Sequence, residues 1–90
     1  MALSALITVK LKGATEDQKS AFSDFLKENN IDKIPKLATT YELNFVDGVT
    51  REDALEAVEV MINSAAQNSK VPSYKAAYQI GEGDVELIEN

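Results

Sequence analysis

The chain predicts an α+β fold in which two helices cover one face of an antiparallel sheet. Three observations carry that expectation. Apolar and polar residues alternate with period two in 3–12 and again in 33–46, the signature of half-buried strands. Apolar residues recur at helical spacing in 16–29 and from 51 to the late sixties, which marks two amphipathic helices. Each helical stretch opens on a threonine followed by acidic residues, a start signal that satisfies free amides and suits the helix dipole.

The first strand is LSALITVKLK, with Ala5, Ile7, Val9 and Leu11 on one side and Leu6, Thr8, Lys10 and Lys12 on the other. Gly13 ends it. Thr15 and Gln18 then stand at the spacing of a capping box, and the helix over 16–29 should bury Ala21, Phe22, Phe25 and Leu26. Asn29-Asn30 offers a left-handed stop, with Ile31 folding back behind it. The alternation in 33–46 is long for one strand. It predicts two, 34–38 and 41–46, turning near Thr39-Thr40, or one bent strand, with Leu37, Thr39, Tyr41, Leu43 and Phe45 sharing a side. Pro35 has no amide hydrogen and belongs at a strand start or edge.

Asp47-Gly48 closes that segment and Thr50 caps the second helix, whose apolar stripe is Ala54, Val58, Met61, Ile62 and Ala65 and whose wet side is Glu52, Glu56, Glu59 and Asn63. It should fray by Asn68-Ser69. Val71-Pro72 links to a strand over 74–80, Gly81-Glu82-Gly83-Asp84 forms a hairpin turn, and Val85 to Ile88 makes an extra short C-terminal strand. Strand, helix, strand pair, helix, strand is most simply the ferredoxin-like, split βαβ arrangement, in one domain over residues 1–90.

An apolar fraction of 44% with 27% charged residues is that of a folded chain, and the absence of cysteine and histidine excludes disulfides, thiol nucleophiles, histidine bases and the usual zinc sites. The opening apolar run is short and has no basic residue ahead of it, which fits neither a signal peptide nor a membrane span. The expectation is a cytoplasmic protein without a membrane partner. The end of the first strand, Lys10-Leu11-Lys12-Gly13, carries no carboxylate for a hard divalent cation. The loop after it has one glycine and no arginine, Arg51 being the chain's single arginine, so a phosphate-cradling loop is missing there. Neither an enzyme nor a cofactor or metal site is expected.

Charge is uneven. Six lysines face five acids up to Tyr41, whereas ten acids face only Arg51, Lys70 and Lys75 from Glu42 onward, within a net charge of −6. An anionic surface repels phosphates and favours a basic protein partner. The leading expectation is a small non-enzymatic protein-binding module, such as an inhibitor, an antitoxin-like protein or a regulatory subunit. Its binding residues would be Glu52, Glu56, Glu59, Glu82 and Asp84. The alternative is a nucleic-acid-binding or small ribonuclease-like domain using Lys10, Lys12, Lys33 and Lys36. Unprotected sheet edges offer a third route, pairing of two copies into a homodimer. The tyrosines 41, 74 and 78 are expected in the core with hydroxyls at its rim.

Overall fold

A computed structural model describes residues 2–34, 37 and 39–83. The elements run β1 (Leu3–Lys12), α1 (Glu16–Glu28), β2 (Asp32–Lys33), β3 (Thr40–Asn44), α2 (Arg51–Ser69) and β4 (Ser73–Glu82). The expected α+β class is present: four strands form one antiparallel sheet in the order β2-β3-β1-β4. β1 and β2 therefore run parallel with β3 between them, and β3 and β4 likewise flank β1.

The period-two pattern sets which face is buried. Ala5, Ile7 and Val9 are buried while Leu6, Thr8 and Lys10 are exposed. In register beside them, Tyr41 and Leu43 of β3 and Ile80 of β4 enter the same core. Both helices close that core. Phe22 and Leu26, one turn apart on α1, are 1% and 0% exposed, and Ala54, Val58, Ile62, Ala65 and Ala66 supply the α2 side. Slipping β1 by one residue would turn its whole apolar set to solvent, so the register is strongly specified.

Local chemistry fixes the helix ends. The Gln18 amide donates to Thr15 Oγ1 at 3.2 Å and the Thr15 amide to Gln18 Oε1 at 2.9 Å, which is the expected capping box. At the other end Asn30 takes φ 65° and the Ile31 amide returns to the Leu26 carbonyl, burying Ile31 completely. The Asp53 amide donates to Thr50 Oγ1, and α2 stops at Lys70 with φ 59°.

Two stretches depart from expectation. The strand placed over 34–38 lies earlier and is shorter: Asp32–Lys33 pairs with Glu42 and Tyr41. The Ile34 amide still donates to the Thr40 carbonyl, after which the Leu37 and Thr40 amides turn to the Ile34 and Leu37 carbonyls instead of to β3, and Leu37 is exposed, off the face of Tyr41. Pro35 lies outside the described residues. Gly81 and Glu82 are strand, not turn, because β1 begins at Leu3 and offers each a partner, Gly81 opposite Ser4 and Glu82 opposite Leu3. Ladder pairing outweighs their turn propensity, and the left-handed position is Gly83, with φ 83°. The expected strand over 85–88 falls outside the described residues. Among the described residues no helix is long and apolar enough to cross a membrane.

Candidate binding groove beside α2

Alternation along β4 decides what its outer edge offers. Gly83 N donates inward to the Ala2 carbonyl, so odd-numbered residues of β4 turn their amides and carbonyls towards β1 and even-numbered ones turn theirs outward. The Arg51 guanidinium agrees: its Nη1 donates at 2.6 Å to the Ile80 carbonyl. Tyr74, Ala76 and Tyr78 thus point their main-chain groups off the sheet and their side chains towards the helices. Among the described residues β4 is the edge of the sheet.

α2 runs over this edge in the opposite direction, and between them lies an open groove of about 520 Å³ lined by Glu56, Glu59, Val60, Ile62 and Asn63 from the helix and by Tyr74, Ala76 and Tyr78 from the strand. Ala76 is the small residue between the two tyrosines on the strand side of the groove. The Tyr74 hydroxyl donates to Asn63 Oδ1. Partial burial first, then the neighbouring Glu59 carboxylate, hold the Tyr78 phenol above its ordinary range. Val60, a large apolar side chain on the groove's helical wall, is 54% exposed. The groove therefore has an apolar floor, an acidic rim and, among the described residues, an unpaired main-chain edge.

Of the residues expected to bind a partner, the structure brings Glu56 and Glu59 together on this rim. Glu52 is exposed one turn earlier on α2 and does not line the groove; Glu82 is exposed at the end of β4, two residues beyond the Arg51 contact. Asp84 lies outside the described residues. Among the described residues no three carboxylates gather closely enough to hold a metal ion. The helix spacing exposes Glu52, Glu56 and Glu59 along one side without converging their oxygens.

The lysines divide. Lys10 and Lys33 line a second depression of about 650 Å³ between α1 and the sheet, but Glu16 and Asp24 line it as well, so it carries no single sign of charge. Lys33 Nζ stands 6.0 Å from the Tyr41 ring centroid, within reach of a cation–π attraction. Lys12 is exposed at the end of β1, and Lys10 lies directly opposite Lys75 in the β1–β4 register. Lys36 lies outside the described residues. The tyrosine hydroxyls sit at the rim as expected, Tyr41 Oη pairing with Ser23 Oγ at 2.9 Å.

Sequence reading missed three parts of the groove: the Arg51 contact, the outward main chain of β4, and Val60. Val60 was the visible signal, an apolar residue among Glu56, Glu59 and Asn63 on the wet side of a helix. Comparison with family models, with curated proteins and with solved structures gives no match.

Proposed function

We propose that this protein is a protein-binding module that receives a basic partner at the groove between α2 and β4. The observation that carries the reading is the exposure of Val60 beside Glu56 and Glu59, in a groove shared with Tyr74, Ala76 and Tyr78. Apolar floor with a charged rim is the usual anatomy of a recognition site, and aromatic side chains supply most of the contact area at such sites. The groove's lining holds no serine, threonine, cysteine or histidine, which favours binding over catalysis. The expected acidic surface narrows to Glu56 and Glu59, with Glu52 and Glu82 contributing long-range attraction. The sheet order, taken from the other edge as β4-β1-β3-β2 with each βαβ unit split by an antiparallel strand, supports the finer proposal of a ferredoxin-like arrangement.

Affinity capture from the cell of origin tests the function. The wild-type protein should retain a partner that is released by raised salt and that the Glu52→Gln/Glu56→Gln/Glu59→Gln variant fails to retain. A partner held equally by both would contradict the surface. Lys10, Lys12 and Lys75 on the open face favour a second reading, anion or nucleic-acid binding. The aromatic residues of the described strands, Tyr41, Tyr74 and Tyr78, face the helices instead, which leaves no stacking platform there. Flat titrations of RNA and DNA at low salt would remove it.

A further inference from the structure

We infer that the partner binds by strand addition: an extended segment with basic residues at alternate positions pairs with the outer edge of β4 under the flank of α2. The inference rests on the protein-binding reading and specifies how that site works. Its first support is the edge itself. Tyr74, Ala76 and Tyr78 present outward amides and carbonyls, a row that no other described residue pairs with. Long open edges are templates for another strand unless charge, proline or a covering element blunts them. Among the described residues Arg51 blunts one end by taking the Ile80 carbonyl. Among the described residues the open row therefore runs from Tyr74 to Tyr78, about 14 Å at the usual strand rise of about 3.4 Å per residue.

The second support is what an added strand would meet on each face. On the helix side its side chains enter the groove, passing Val60 and ending at Glu56 and Glu59. Lysine or arginine suits both parts, since an apolar stem can cover Val60 while the cation reaches the carboxylates. On the open side the neighbours are Lys75, Ala77 and Gln79, and Lys75 repels a cation directly across the ladder. Basic residues are thus favoured at every second position and disfavoured between. A second copy of the chain fits less well, because a twofold pairing of β4 with itself brings two sets of Glu56 and Glu59 onto the same face.

The probe is an end-capped octapeptide alternating lysine and valine, titrated against the full chain while amide hydrogen exchange is followed residue by residue. Binding should slow exchange at Tyr74, Ala76 and Tyr78 by more than tenfold and leave Lys75, Ala77 and Gln79 as they were. A peptide N-methylated at alternate residues on its pairing edge keeps every charge and side chain, and should lose at least tenfold in affinity. A glutamate–valine peptide should not bind. Shifts at Glu56, Glu59 and Val60 without protection of the β4 amides, or equal binding of the N-methylated peptide, would overturn strand addition and leave the acidic groove standing. No binding of the lysine peptide at millimolar concentration would overturn both. Protection of the three amides in the free protein would overturn the inference by showing the edge already occupied, by residues 84–90 if independent of concentration and by a second copy if it rises with concentration.

Discussion

Arg51 joins two elements through one contact, from the first residue of α2 to the carbonyl of Ile80. Charge-assisted bonds to main-chain oxygen contribute about 1.5–3 kcal/mol when partly shielded, so Arg51→Ala should lower unfolding free energy by about 1–2 kcal/mol in denaturant titration. The phenol of Tyr78 gives a second residue-level test. Its pKa is raised by partial burial and by Glu59, so the neutral phenol is favoured in the folded state. The stability this contributes is complete below the unfolded value of 10.0 and is lost as pH rises through the folded value. Glu59→Gln should move the Tyr78 titration, read as the phenolate absorbance difference against Tyr78→Phe, down towards 10.0. An unchanged titration would mean that Glu59 does not face the phenol. In the core, Leu26→Ala should cost about 2–5 kcal/mol, the usual range for emptying a closed site, because Leu26 is fully buried between α1 and the sheet.

At the scale of elements, caps and stops govern the helices. Thr50→Ala should destabilise by about 1 kcal/mol by leaving the Asp53 amide without its acceptor. Lys70 ends α2 with φ 59°, a conformation that costs a residue with a Cβ about 1 kcal/mol relative to glycine. Lys70→Gly should therefore raise the thermal midpoint, and a fall would show that its side chain does more than tolerate the turn. These ends were legible in the sequence because a cap is a local code, readable from Thr15 with Gln18 or Thr50 with its acids. The joints of the sheet were not. Asp32–Lys33 and Gly81-Glu82 are strand only because β3 and β1 present partners, and partners distant in sequence leave no trace in local propensity. The same limit applied at the groove. The acids on α2 could be read from spacing, but their meeting with Tyr74, Ala76 and Tyr78 depends on where α2 crosses β4.

Across the whole molecule, burial and openness are distributed unequally. One face of the sheet is closed by two helices; the other presents Thr8, Lys10, Lys75 and Gln79 to water. Among the described residues β1 is paired on both sides, while β4 is paired on one. The binding proposal depends on that asymmetry at a single strand. Amide hydrogen exchange along β4 of the free protein, at low concentration, measures it directly. Alternation is the predicted result, with Lys75, Ala77 and Gln79 protected by β1 and Tyr74, Ala76 and Tyr78 exchanging rapidly. Uniform protection from Tyr74 to Gln79 would contradict it, because the edge would then already be covered.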